Sequence, residues 1–185
     1  MKQSPTFSVY CGPMFSAKTS RILYDAERLK YQQKPFLAFK PLVDIRYGEQ
    51  EIVSHLGAKL RAIQIESGDS LMQFLASTSE PYEHILVDEV FMIPGIAVAL
   101  IWLFRQGISI HVSTLDLSYA CKPFTEVQAV LPWATKIEKC TAVCTACGAD
   151  AHFTYRKNQD DIEIVIGGAD MYEPRCFNCH PSVRK

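Results

Sequence analysis

The sequence predicts an α/β fold, in which a parallel sheet with flanking helices is followed by a small C-terminal subdomain. Three observations predict it. Strand-like and helix-like stretches alternate over about the first 125 residues, a glycine-led loop joins the first strand to the first helix, and paired cysteines appear only after residue 140. We therefore expect two domains, residues 1–139 and residues 140–185.

Each element in the first part has its own signal. The apolar run Phe7–Cys11 predicts a buried strand, and residues 18–33 carry apolar side chains at helical spacing. Residues 36–40 and 61–66 predict two further strands, and residues 70–76 predict a short helix.

The next elements follow the same alternation. Residues 84–89 predict a strand that ends in two acids. Ile96–Arg105 predicts a strongly apolar helix that is buried or lies at a subunit contact, and Ser109–Thr114 predicts another strand. In the subdomain, residues 152–157 and 162–166 predict two short strands joined by a polar link.

Composition narrows the range of functions. The chain has 185 residues, 48% of them apolar, which is enough for a substantial core, and its net charge of −1 gives no sign of a nucleic-acid-binding surface. The longest apolar run is too short to cross a bilayer, and the N-terminus lacks the apolar core of a signal peptide. We expect a cytoplasmic protein, in which seven cysteines indicate metal binding more than disulfides.

The loop after the first strand carries a phosphate-binding motif. Residues 12–19 read G-x-x-x-x-A-K-T, one residue away from G-x-x-x-x-G-K-[ST], because Ala17 stands at the second glycine. Backbone N–H groups of such a loop cradle phosphate, while Lys18 adds a charge and Thr19 a hydroxyl for Mg²⁺. Alanine is tolerable at that position if its φ is negative. The phosphate-binding candidates here are Gly12, Phe15, Ser16, Ala17, Lys18, Thr19 and Ser20.

Two acids follow a predicted strand about seventy residues further on. Asp88 at a strand's carboxyl end is suited to hold Mg²⁺ beside a phosphate loop, and Glu89 could accept a proton from a substrate hydroxyl. The alternative is a pair of surface acids, which the upstream loop makes the weaker interpretation.

Two cysteine pairs have the spacing of a structural zinc site. Cys144-x-x-Cys147 and Cys176-x-x-Cys179 supply four thiolates, and a closed site of this kind would stabilise a subdomain that is too small to fold alone. His180 is the alternative to Cys179 as the fourth ligand, although the spacing favours Cys179.

The sequence pattern alone does not decide the role of two further segments. The charged segment 40–47, with Ser54 and His55 after it, could reach a ligand at the sheet edge or be a solvated loop. Gly167 and Gly168 could shape a loop over a flat base or form a simple turn.

Together these motifs resemble the thymidine kinases of the P-loop, zinc-containing type. The resemblance runs from Gly12 to about His180 and includes residues 12–16, 88–89, 115–116, 123–124, 141–147 and 167–172. It implies a P-loop NTPase-like sheet and a zinc ribbon that carries a substrate-gripping lasso loop.

The resemblance also implies a reaction, the transfer of the ATP γ-phosphoryl group to the 5′-hydroxyl of thymidine. Glu89 would be the general base, Lys18 would stabilise the transferring group, and Thr19 with Asp88 would hold Mg²⁺. Asp44 and Arg46 would lie near the phosphates. The family is usually tetrameric, so we expect a homotetramer that binds ATP and thymidine, with no nucleic acid or membrane partner.

The residues that the resemblance places around the nucleoside form one larger set. They are Met14, Met92, Leu115, Tyr119, Phe124, Thr154, Arg156, Val165, Gly168 and Tyr172.

Several positions depart from the family pattern. Besides Ala17, they are Phe91 and Met92 where the family has glutamine and an aromatic residue, and Thr114, Ala120 and Thr125 nearby. These changes leave a second hypothesis open, a nucleotide-binding relative of little activity with a regulatory or scaffolding role.

Overall fold

A six-stranded sheet, parallel throughout, organises the protein. The computed structural model describes residues 4–44, 50–54, 57–158 and 167–183. Its strands up to the end of this sheet are β1 Phe7–Cys11, β2 Phe36–Pro41, β3 Glu51–Val53, β4 Lys59–Arg61, β5 Ile63–Ile65, β6 His84–Val87, β7 Ser109–Thr114 and β8 Lys136–Lys139. The sheet order is β5-β2-β6-β7-β1-β8, while β3 and β4 form a separate antiparallel hairpin.

Among the described residues, four α-helices flank the sheet. They are α1 Lys18–Tyr31, α2 Gly68–Ser77, α3 Ile96–Arg105 and α4 Thr125–Val130. Apolar residues of α1 pack with Ala38 and Leu86 on one face, whereas residues of α2 and α3 pack with the opposite side chains of β1, β2, β6 and β7. Alternate side chains of β2 and β6 therefore contribute to two separate cores, as expected of strands buried on both faces.

Side-chain caps, one local and one from a distant residue, mark where two of these helices begin. The Ser67 hydroxyl accepts a hydrogen bond from the Ser70 backbone N–H, which forms a capping box at the start of α2. Both carboxylate oxygens of Glu126 accept backbone N–H groups at the start of α3, from Gly95 at 2.8 Å and from Ala97 at 2.9 Å.

The small subdomain contains two short antiparallel pairs. Strand β9 Ala142–Val143 pairs with β10 Asp150–Ala151, and β11 Phe153–Arg156 pairs with β12 Tyr172–Arg175. All six strands of the main sheet end before residue 140, while the predicted boundary between residues 139 and 140 itself stays a prediction.

The α/β fold class and most of the predicted elements are confirmed. The helix Ile96–Arg105 and the strand Ser109–Thr114 occur as predicted, and the helix from residue 18 ends two residues early, at Tyr31. The strand predicted at 61–66 is confirmed as β5, Ile63–Ile65, which joins the sheet, whereas Arg61 ends β4 and pairs with β3 instead. The sequence patterns did not predict α4, β3, β4, β8, β9, β10 and β12, and the strand predicted at 162–166 lies outside the described residues.

No helix in the described ranges has the length and apolar content that crossing a bilayer requires.

A buried polar network lies under α1. The Tyr10 hydroxyl donates to Asp25 Oδ2 at 2.6 Å, and His111 Nδ1 lies 2.8 Å from the same oxygen. His111 Nε2 in turn lies 3.1 Å from His84 Nδ1. Burial, with help from the charge of His111, lowers the pKa of His84 to about 4. The network therefore joins β1, β6, β7 and α1 around a neutral His84.

The shift at His84 predicts a pH-dependent stability. The unfolded chain binds a proton at His84 below pH ~6.5 but the folded protein does so only below about 4, so the free energy of unfolding falls as pH falls through this window. We expect His84→Asn, whose amide can still hydrogen-bond with His111 but does not titrate, to remove about 2 kcal/mol of the pH dependence between pH 7 and 4.5. Urea unfolding of both proteins across this range measures it, and equal slopes against pH would contradict the assignment.

Candidate active site

The loop between β1 and α1 adopts a phosphate-cradle geometry that starts at Gly12. Gly12 has a φ of 144°, and a Cβ there would lie 2.3 Å from the carbonyl oxygen of Cys140. Because no side chain fits that gap, the loop requires glycine at this position.

The rest of the loop is held by its own contacts. The Ser16 hydroxyl donates to the Pro13 carbonyl oxygen at 2.8 Å, and Lys18 Nζ donates to the same oxygen at 2.7 Å. Lys18 is buried, and burial lowers its pKa, although the nearby charges of Glu89 and Asp88 act in the opposite direction. The amine thus lies inside the loop, where a phosphate group would meet it.

Ala17 does not meet the condition that makes alanine tolerable. Its φ is 59° and its ψ is 24°, so it caps α1 in the left-handed conformation that glycine normally takes. The loop therefore carries backbone strain at this residue.

Asp88 and Glu89 lie where the sequence places them, at the carboxyl end of β6. Asp88 is buried and accepts a hydrogen bond from the Ser113 hydroxyl. Burial and the neighbouring Glu89 carboxylate raise the pKa of Asp88 to about 7, against the opposing effect of that hydrogen bond. Glu89 has a φ of 52°, a strained conformation of the kind that clusters at functional sites.

One cleft gathers these residues. It is lined by Met14, Phe15, Ser16, Ala17, Lys18, Thr19, Ser20, Lys40, Asp44, Glu51, Ile52, Val53, Asp88, Glu89 and Gly168. The cleft thus brings together most of the predicted phosphate-binding residues, the two acids and one residue from the Gly-Gly segment. Arg46 lies outside the described residues.

The sequence analysis did not assign the wall formed by the β3 hairpin. Lys40, at the end of β2, is buried and donates to the Glu51 carbonyl oxygen at 3.1 Å. The available signal was a lysine inside an otherwise apolar strand, because such a charge needs a polar partner. Nothing in the short segment 51–53 itself marked it as part of a site.

Four of the predicted nucleoside-contacting residues share an apolar cluster. Met14, Met92, Leu115 and Phe124 pack together with Phe91, Val127 and Leu131. The rings of Phe91 and Phe124 have centroids 4.6 Å apart, so Phe91 is a packed member of this wall.

The remaining predicted nucleoside residues belong to the subdomain or face it. The Arg156 guanidinium lies 3.7 Å from the centroid of the Tyr119 ring, a cation–π contact. Thr154 and Tyr172 are buried on β11 and β12, and the Tyr172 backbone N–H donates to the Gly168 carbonyl at 3.0 Å. Val165, with residues 159–166 of the predicted lasso, lies outside the described residues.

The four predicted cysteine ligands converge. Sulfur atoms of Cys144, Cys147, Cys176 and Cys179 all lie within 4.8 Å of one another, and those of Cys147 and Cys176 are 3.6 Å apart. Tetrahedral zinc with bonds of ~2.3 Å places its sulfur ligands at such separations. Although burial opposes ionisation, backbone N–H groups of Cys176 and Ala146 lower the pKa of Cys144 to about 6. These residues fit a structural zinc ion.

Both ring nitrogens of His180 make other contacts, so Cys179 is the fourth ligand candidate. Its Nδ1 accepts the Ser182 backbone N–H at 3.3 Å, and its Nε2 lies 3.2 Å from the Thr154 carbonyl oxygen. The alternative ligand considered from the sequence is therefore not part of the cluster.

Fold and cleft together define the class, a P-loop-like α/β nucleotide-binding protein with a cysteine metal cluster at its C-terminal end. A family model described as thymidine kinase matches residues 5–180. The chain belongs to the thymidine kinase family, as the sequence motifs predict.

The strain at Ala17 yields a prediction about stability. We expect Ala17→Gly to raise the free energy of unfolding by about 1 kcal/mol, because glycine takes a positive φ without the steric cost that alanine bears. For a chain of this size that corresponds to a rise in Tm of ~2–4 °C. Thermal or urea unfolding measures the change.

A matched control separates this effect from a general effect of glycine. Ala129→Gly makes the same change on the exposed side of α4, at an ordinary helical position, where glycine should lower stability by ~0.5–1 kcal/mol. If Ala17→Gly also lowers stability, the left-handed geometry of Ala17 is not a source of strain.

Proposed function

We propose that the protein transfers the γ-phosphoryl group of ATP to the 5′-hydroxyl of thymidine, as a salvage enzyme of the cytoplasm. The observation that carries this proposal is the single cleft that holds the phosphate loop, the Asp88–Glu89 pair and Gly168. Membership in the thymidine kinase family supports the substrate class. Phosphoryl transfer requires chiefly positioning and charge stabilisation, and these residue types supply both.

The phosphate side of the cleft has the groups that Mg²⁺ and a triphosphate need. In our proposal Lys18 moves from the Pro13 carbonyl oxygen to the phosphates and stabilises the transferring group. Thr19 and Asp88 hold Mg²⁺, since a hydroxyl and a carboxylate are oxygen ligands of the kind this ion prefers. Asp44, buried in the same cleft, and Arg46 act near the phosphates.

The nucleoside side provides the base and the walls. Glu89 lines the cleft beside Lys18 and is the general base for the 5′-hydroxyl. Met14, Met92, Leu115 and Phe124 form the apolar wall against the pyrimidine. Tyr119, Thr154, Arg156, Val165, Gly168 and Tyr172 surround the base and sugar.

The apolar wall also motivates the alternative. Phe91 packs against Phe124 where the family pattern has a polar glutamine. An all-apolar wall offers no hydrogen bond to a nucleoside on that side, which favours weaker discrimination or low turnover. A nucleotide-binding relative with a regulatory or scaffolding role is the second candidate.

A coupled assay with ATP, Mg²⁺ and each pyrimidine deoxynucleoside tests the proposal. We expect thymidine turnover that Lys18→Ala abolishes and that Glu89→Gln lowers by ~10²–10⁴-fold in kcat, the usual contribution of a general base. Glu27→Gln, an isosteric change at an exposed glutamate of α1, should leave kcat unchanged.

Calorimetry with ATP separates the two candidates. Binding of ATP or of thymidine triphosphate without turnover above the Lys18→Ala background would favour the regulatory role. Absence of any nucleotide binding would remove both candidates.

We also propose that the protein is a homotetramer and that α3 forms one of its contacts. Val98 and Trp102 lie one turn apart on α3 and are 76% and 50% exposed. The helix has a single charged residue, Arg105, so its exposed side is mainly apolar. Exposed apolar side chains in such a stripe are typical of subunit contacts.

The charge-introducing variant Trp102→Glu tests this contact. We expect it to lower the molar mass measured by light scattering below that of the wild-type assembly, because a carboxylate would be buried without a partner. An assembly of unchanged mass would exclude Trp102 from the interface, and a monomeric wild-type protein would exclude the tetramer.

A further inference from the structure

A direct hydrogen bond joins the phosphate loop to the cysteine subdomain. The Met14 backbone N–H donates to Thr154 Oγ1 at 3.0 Å, across 140 positions of sequence. Thr154 lies on β11 and is 3% exposed, so its hydroxyl is largely shielded from water. The Met14 N–H is thereby directed toward the subdomain.

Thr154 is itself held in place from the far side. Its strand partner is Pro174, which has no N–H to donate, and the Thr154 carbonyl oxygen instead lies 3.2 Å from His180 Nε2. Because His180 Nδ1 accepts the Ser182 N–H, the proton of the neutral ring is on Nε2 and points at that carbonyl. His180 directly follows the metal-ligand candidate Cys179, so the cysteine cluster fixes one end of this chain of bonds.

A second contact between the loop and the subdomain is apolar. The Phe15 side chain packs with Ala142, Ala151 and two of the metal-ligand candidates, Cys144 and Cys176. Phe15 has a φ of 64°, so the backbone is strained at the residue that makes this contact. Strain of this kind persists only where the surroundings impose it.

We propose that the cysteine subdomain clamps the phosphate loop, with Thr154 as a positioning residue for ATP binding. Thr154 holds Met14, the metal cluster supports the packing of Phe15, and together they impose the strained loop geometry on which the phosphate cradle depends. Bound metal thereby controls nucleotide affinity from outside the α/β domain. The part of this inference that concerns ATP rests on the proposed function.

The clamp differs from the role that family resemblance implies for Thr154. A residue that contacts the nucleoside acts on thymidine affinity, whereas a residue that shapes the phosphate loop acts on ATP affinity. The two substrates therefore distinguish the roles.

A matched pair of variants tests the clamp. Thr154→Val keeps the shape of the side chain but removes the acceptor, while Thr154→Ser keeps the hydroxyl. Three quantities are measured in the full-length protein: zinc content, the hydrogen-exchange rate of the Met14 amide, and the Kd values of Mg-ATP and thymidine. The Ala97 amide, which donates to Glu126, is the internal reference for exchange.

We expect Thr154→Val to retain about one zinc per chain, to speed exchange at Met14 at least tenfold over the Ala97 reference, and to raise the Kd of ATP about tenfold. Thr154→Ser should stay close to the wild type in all three. Removal of zinc from the wild-type protein by a chelator should speed exchange at Met14 in the same way.

Other results overturn the proposal. Unchanged Met14 exchange in zinc-replete Thr154→Val excludes the clamp. Faster exchange with unchanged ATP affinity excludes the control of nucleotide binding, as does a rise in the Kd of thymidine alone. If the wild-type protein binds no ATP, the proposed function fails, and the exchange measurements still decide whether the clamp exists.

Discussion

The common direction of the six strands is the constraint on which the rest of the structure depends. In a parallel sheet every carboxyl end reaches the same edge. Cys11, the last residue of β1, pairs with Thr114 of β7 and with Lys139 of β8, so the chain segments that follow these strands start side by side. The phosphate loop and the entry to the cysteine subdomain are neighbours for this reason, and the acids after β6 lie two strands away along the same edge.

Backbone strain is concentrated at that edge. Among the described residues, five other than glycine have a positive φ, and Phe15, Ala17 and Glu89 of these line the cleft. Each such residue has a cost of ~1–3 kcal/mol that its surroundings must offset. For Phe15 the offset is packing against the subdomain. Residues on both sides of the predicted boundary therefore stabilise the strained conformation of this loop.

How far sequence could predict the structure depended on whether the signal was local. Apolar patterns within the segments themselves predict the strand Phe7–Cys11 and the helix Ile96–Arg105. The spacing of the cysteine pairs likewise predicts the metal site. Strand β8, Lys136–Lys139, is the outermost strand of the sheet, and its side chains are mostly exposed and polar. Only its pairing with β1 makes it a strand. No periodicity within such a segment could reveal it.

In the site, too, local motifs could be predicted and long-range contacts could not. Lys18, Asp88 and the four cysteines were predictable because short motifs carry their chemistry. The left-handed φ of Ala17 could not be predicted, because the surroundings of the loop set it. The hydrogen bond from Met14 to Thr154 could not be predicted either, because it joins residues 140 positions apart. The loop sequence suggested a cradle, but the contacts that shape this cradle come largely from another part of the chain.

Electrostatics supports the ligand that we propose for this cleft, a phosphate group together with a divalent cation. Burial disfavours the charged forms of both Lys18 and Asp88, so it lowers the pKa of the amine and raises that of the carboxyl to about 7. A phosphate group would favour the ammonium form of Lys18, and a divalent cation would favour the carboxylate form of Asp88. Each would add a favourable interaction with a buried ionisable group. A neutral ligand would add neither, and a phosphate without its cation would add negative charge beside Glu89 and Asp88. In our proposal the cleft binds metal and phosphate together, which is the combination that phosphoryl transfer requires.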